Sequence, residues 1–187
     1  MKEGWPIGRD DPMKKLSALL LVGAFACSMF AQADSKKAPT AASPAASDSA
    51  TIPATAAKVS APLVLKDGAI GQPEVTELSD GGKAVFEFSV PKAGTYVIHA
   101  VVDAPGEEAN SFFLNIDAPP EDPVMIWDID VTSGFEERIV SWRGKGEPEN
   151  DEFKPKRFTL TAGAHKLFIV GREPARLKSV SFRLAAN

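Results

Sequence analysis

The sequence predicts an all-β fold, a single-domain jelly-roll β-sandwich, preceded by a signal peptide and a disordered linker. Three observations predict it. Several segments alternate apolar and polar residues with period two, which marks strands with one buried side. Turn residues separate these segments at regular spacing. After residue 60 no window of about 11 residues or more sustains a helical period.

The chain begins with MKEGWPIGRDDP, whose Pro6, Arg9, Asp10 and Asp11 fit no part of an export signal. The pattern starts at Met13, where Lys14 and Lys15 precede an apolar run from Leu16 to Phe30, closed by Ala31-Gln32-Ala33. A charged head, an apolar core and a small-residue cleavage site are the layout of a secretory signal peptide. The run is short for a membrane span of about 20 residues. Translation is therefore expected to start at Met13, and cleavage to follow Ala33, so that residues 1–33 form the extension and signal. The mature domain is expected not to insert in a membrane, and to reside in the periplasm, at the cell surface or in the medium. Cys27 follows a short apolar run, as a lipid-anchor cysteine does. Ala24 and Phe25 depart from the usual anchor pattern, and both readings stay open.

Residues 34–60 are dominated by Ala, Ser, Thr, Pro and Lys, with no aromatic residue. Such a stretch buries too little apolar surface to offset its chain entropy. It is expected to be a flexible linker, stiffened by Pro39, Pro44 and Pro53. The folded domain is expected over residues 61–187.

In KAVFEFSV, Ala84, Phe86, Phe88 and Val90 share one face. Pro91-Lys92-Ala93-Gly94 turns the chain, and the nearly continuous apolar TYVIHAVVDA predicts a central strand. SFFLNIDA alternates again and stops at Pro119-Pro120. VMIWDI, RIVSW, RFTLTA, HKLFIVGR and LKSVSFRL follow. Gly163-Ala164, between RFTLTA and HKLFIV, predicts a two-residue hairpin.

Composition removes several functions. A net charge of -4 gives no basic surface for nucleic acid. One cysteine and two histidines supply neither a disulfide framework nor a multi-His zinc site. No cofactor or metal is expected. Neither His99 nor His165 has the neighbours of a hydrolytic triad, and both suit packed or turn positions. Asp128, Asp130, Glu136 and Glu137 are close in sequence and leave a small glycan-active enzyme as a third hypothesis.

Trp127 and Trp142 lie near strand ends beside polar loops, Asp128 after the first and Arg143-Gly144-Lys145-Gly146 after the second. An exposed indole can stack on the C–H face of a sugar ring while nearby polar groups bond its hydroxyls. Both indoles also suit a core, and the two readings stay open.

The ordered run GGKAVFEFSVPKAGTYVIHAVVDAP, NSFFLNIDAPP, IWDI, SW and FTLTAGAHKLFIVGREPARLKSVSF resembles carbohydrate-binding modules of the galactose-binding-like jelly-roll group, families 6 and 35. The resemblance covers roughly residues 63–184. It implies non-catalytic binding of a carbohydrate. It also implies a ligand site drawn from Asn110, Trp127, Asp128, Trp142, Arg172 and Glu173. The family's structural calcium uses an acidic pair near the first strand and an aspartate in the last. Here the first strand reads PLVLKDG, and Lys178 stands at the aspartate position, so no calcium site is implied. The competing expectation is a structural or protein-interaction domain of the cell envelope, which keeps the fold without a sugar.

Overall fold

The computed structural model describes residues 51–144 and 153–186. The expected signal peptide, Cys27 and the first part of the linker lie outside them. The described residues form β1 (Thr51–Pro53), β2 (Lys58–Ser60), β3 (Val64–Lys66), β4 (Ala69–Gly71), β5 (Lys83–Val90) and β6 (Gly94–Asp103). They continue with β7 (Ser111–Ile116), β8 (Ile126–Asp128), β9 (Glu136–Ile139), β10 (Phe158–Leu160), β11 (Gly163–Gly171) and β12 (Arg176–Leu184). Among these residues no helix is long and apolar enough to cross a membrane.

All pairings are antiparallel and build two sheets. The larger runs β10-β6-β12-β4-β3, with β1 also on β12 and β9 also on β6. The smaller runs β2-β5-β11-β7-β8. One apolar core draws Phe86, Leu114 and Leu167 from the smaller sheet and Ile98, Val180 and Phe182 from the larger. Phe88 of β5 stacks on Phe182 of β12 at 3.7 Å and 7° between ring planes, which joins the two layers. This is the sandwich that period-two patterning requires, because each sheet must bury its apolar face on another layer.

β5 buries Ala84, Phe86, Phe88 and Val90, as its alternation predicts. β6 is central, paired with β9, β10 and β12. A second, smaller apolar cluster of Phe113, Ile126 and Val170, with Leu78 against it, covers part of the outer face of the smaller sheet.

Two expectations are corrected. The linker does not extend to residue 60, because residues 51–60 form β1 and β2 and pair with β12 and β5. Ala54 between them is fully buried in the core. Short strands of small residues carry no visible alternation, and their partners lie far along the chain. The connection before β11 is not a hairpin either. β10 pairs with β6 in one sheet, and β11 pairs with β5 and β7 in the other. Gly163, at φ 121°, supplies the backbone conformation that lets the chain pass from one layer to the other.

Candidate functional site

The described residues between β9 and β10, 140–144 and 153–157, contribute to an open cleft with an aromatic lining. Val140 and Phe158, at the two ends of this segment, are buried in the core. The Lys156 N–H donates to the Val140 carbonyl at 2.8 Å, and Ser141 bridges Pro155. Trp142 is thereby held beside Phe158, edge to face at 5.7 Å and 87°. Its Nε1–H donates to the Leu114 carbonyl at 3.1 Å, which fixes the indole plane. The indole is half-buried. It lines a cleft of about 640 Å³ with Val124, Gly144, Lys154, Pro155, Lys156 and Arg157. The Lys156 ammonium lies 3.7 Å from the indole centroid, a cation–π contact.

Asp128 supports this segment without facing the cleft. Arg143 Nε and Nη2 donate to Asp128 Oδ2 and Oδ1, both at 2.7 Å. The Arg143 N–H donates to the Ile126 carbonyl at 2.7 Å, and the Gly144 N–H to the Val124 carbonyl at 3.0 Å. The buried carboxylate, the guanidinium fork and two main-chain bonds fix the loop that carries Trp142.

Trp127 is a correction. Its ring is 1% exposed and packs near Phe112, 6.5 Å between centroids. A fully buried indole offers no face to a ligand. The side chain points inward because Trp127 shares its β8 register position with Phe112 of β7 on the core side.

Asn110, Arg172 and Glu173 come together as a part-buried knot whose polar groups bond one another. Glu173 Oε2 accepts the Asn110 N–H at 3.1 Å, and the Glu173 N–H donates to the Ser111 carbonyl at 3.2 Å. Arg172 Nη1 donates to Ser111 Oγ at 2.7 Å and also pairs with Glu173. These three residues tie the end of β11 to the start of β7, away from the residues that line the Trp142 cleft. Sequence reasoning missed Val124, Lys156 and Arg157. The available signal was FKPKRF, where three cations sit between two phenylalanines.

A second half-buried aromatic, Phe135, lies beneath two cations. Arg176 Cζ is 4.9 Å and Lys178 Nζ 5.4 Å from its centroid. Arg176 also pairs with Asp103. Lys178 sits where the β12–β6 register shifts. Among the described residues no group of three or more His, Cys, Asp or Glu side chains is placed to hold a metal.

Both histidines are engaged. His99 Nδ1 lies 3.0 Å from Glu137 Oε1, and Arg183 clamps the same carboxylate. His165 Nδ1 lies 2.6 Å from Asp117 Oδ2, and Nε2 lies 2.8 Å from the Thr161 carbonyl. Both His165 partners are acceptors, so the doubly protonated ring satisfies both. Burial opposes that charge, but the Thr161 carbonyl and the Asp117 carboxylate outweigh it and lift the His165 pKa above its ordinary value.

No family model matches the chain, and no curated protein matches it in sequence. Solved structures match it in fold. The family 35 carbohydrate-binding module from Paenibacillus barcinonensis aligns with TM-score 0.52 and 11% identity, over 73% of this chain and 99% of the module. The GH26-CBM35 β-(1,4)-mannanase of Podospora anserina aligns with TM-score 0.53 and 12% identity, over 74% of this chain and 28% of that one. The isomalto-dextranase of Arthrobacter globiformis T6, complexed with panose, gives TM-score 0.50 and 13% identity, over 72% of this chain and 23% of that one. The chain thus spans about a quarter of each of the two enzymes and nearly the whole of the binding module. It shares the fold of these carbohydrate-binding jelly rolls.

Proposed function

We propose that this chain is an exported, non-catalytic carbohydrate-binding module whose ligand enters the Trp142 cleft. The observation that carries the reading is a half-buried indole with fixed orientation, set in a cleft with polar side chains, on a fold shared with a family 35 carbohydrate-binding module. Aromatic surface with a few convergent polar groups is what saccharide binding requires. Both ring nitrogens of His165 are engaged, Nδ1 by the Asp117 carboxylate and Nε2 by the Thr161 carbonyl, which leaves this histidine no free nitrogen for a general base and supports the non-catalytic part.

The test is calorimetry of the purified full chain against a polysaccharide panel that includes β-1,4-mannan, isomalto-dextrans and acidic glycans. Saturable binding is expected, and loss of it in Trp142→Ala with the β circular-dichroism signature retained. Absence of binding to every glycan, or unchanged binding in Trp142→Ala, would sink the assignment.

A structural or interaction role is the second reading. It is favoured by the burial of Trp127 and by the exposed Val64 and Leu65 of β3, which ends the larger sheet. An edge strand with exposed apolar residues is a surface another chain can pair with.

A further inference from the structure

β3 closes the larger sheet, and among the described residues it pairs only with β4. Asp67 and Gly68, at φ 52° and 75°, join the two strands in a two-residue turn. Positive φ at both positions is type I′ geometry, which makes the flanking Lys66 and Ala69 a hydrogen-bonded pair. The two kinds of pair alternate along an antiparallel ladder. Leu65 and Ile70 therefore form a non-hydrogen-bonded pair, and the N–H and C=O of Leu65 point away from β4. The Leu65 side chain shares the core-side face with buried Ile70 and overhangs the edge, 44% exposed. Val64, 51% exposed, lies on the other face, beside a cleft of about 430 Å³. Val64, Ala69, Pro73 and Pro174 give this cleft apolar walls. Lys66, Asp67 and Arg176 stand among them with charges of both signs, so charge selects no ligand class here.

The three residues of β3 make an edge of about 10 Å. A stable association of two folded proteins takes about 800 Å² from each partner, spread over roughly 20–30 residues. The edge and its cleft are too small for that, which sets a second copy of this chain aside. They match a short extended segment. We propose that β3 docks an extended apolar peptide segment of a partner protein, added as one further strand of the larger sheet. One residue of that segment exchanges two main-chain hydrogen bonds with Leu65. Its neighbours on either side project to the cleft face, where an apolar side chain packs against Val64. The proposal gives the interaction reading above its class of partner and rests on that reading. The Trp142 cleft takes no part in it.

The probe is the capped peptide Ac-Lys-Thr-Val-Ile-Val-Thr-Lys-amide, titrated into the isotope-labelled full chain and followed by amide chemical shifts. Saturable shifts are expected at Leu65 and along β3 and β4. The same peptide with a methyl group on its Ile nitrogen keeps the side chains but lacks that donor, and should bind about tenfold or more weakly. Leu65→Pro removes the outward N–H and spares the ladder to β4, at the kind of edge position that accepts proline. It should weaken the peptide by a similar factor with the β circular-dichroism signature retained. Val64→Lys puts a charge of the kind that blocks strand addition on an exposed position, and should act in the same direction. Equal binding of the methylated peptide, or shifts that cluster away from β3, would overturn strand addition. A dimer in sedimentation that Leu65→Pro dissolves, with no peptide bound, would give the edge to a second copy; the proposal then falls and the interaction reading stands. Neither peptide binding nor a dimer would overturn the proposal and remove the edge as support for that reading.

Discussion

Replacing Trp127 by alanine separates a core indole from a ligand platform. The ring is 1% exposed and belongs to the main apolar cluster with Phe112, Ile129 and Val140. A buried tryptophan removes on the order of 200 Å² from water. At about 25 cal/mol per Å² this corresponds to about 5 kcal/mol. Alanine retains a small part, and partial collapse of the cavity recovers some more, so the expected loss is about 3–5 kcal/mol. Small domains have only about 5–15 kcal/mol of stability. With a urea slope of about 2 kcal/mol/M, the midpoint should fall by about 2 M. Trp142→Ala should cost less, about 2 kcal/mol, because its ring is half-buried and its main specific loss is the bond to the Leu114 carbonyl. The assay is urea unfolding of both variants followed by far-ultraviolet circular dichroism. A Trp127→Ala loss under about 1 kcal/mol, or one smaller than that of Trp142→Ala, would refute the placement of the two indoles.

Two further outcomes follow from the ion pairs. His165 is held between two acceptors, and its folded pKa lies above the ordinary 6.5. Its stabilising contribution is therefore fully present below about pH 6.5 and is lost as pH rises through the raised folded value. For Asp117, burial raises the pKa, but the His165 hydrogen bond and the Lys166 N–H outweigh it and hold the carboxyl below its ordinary 3.8. That contribution is present above about pH 3.8 and is lost as pH falls through the lowered value. The stability gap between the parent protein and His165→Gln should thus be widest between about pH 4 and 6.5 and should shrink on the alkaline side. A gap that stays constant from about pH 5 to 9 counts against the clasp. The Asp128–Arg143 pair should respond asymmetrically. Arg143→Met strands a carboxylate whose side chain is 9% exposed and should cost about 3 kcal/mol. Asp128→Ala leaves an arginine that can turn to water and should cost less, as thermal unfolding of the two variants will show.

Some of this was legible in the residues and some was not. KAVFEFSV announces its buried face because large apolar residues alternate with Lys, Glu and Ser, and β5 buries that face. β1 and β2 were hidden, since TIP and KVS are too short and too small to show a period. The resemblance assigns Asn110, Arg172 and Glu173 to a ligand site, and in the fold these residues engage one another. Trp127 and Trp142 look alike locally, each near a strand end and followed by charge. Nothing in the order of FKPKRF names a partner for its cations, and the bridge between Ser141 and Pro155 brings Lys156 over Trp142.

Within a strand, the order of residues alone sets which side faces the core, because successive side chains alternate whatever the strand pairs with. The all-β class and most strand positions therefore follow from local pattern. Which strands become neighbours does not, because pairing joins residues far apart in the chain and is chosen by how two layers fill one core. That choice sent β10 and β11 to different sheets. It closed the core over Trp127, and it left Trp142 at the edge with Lys156 above its ring.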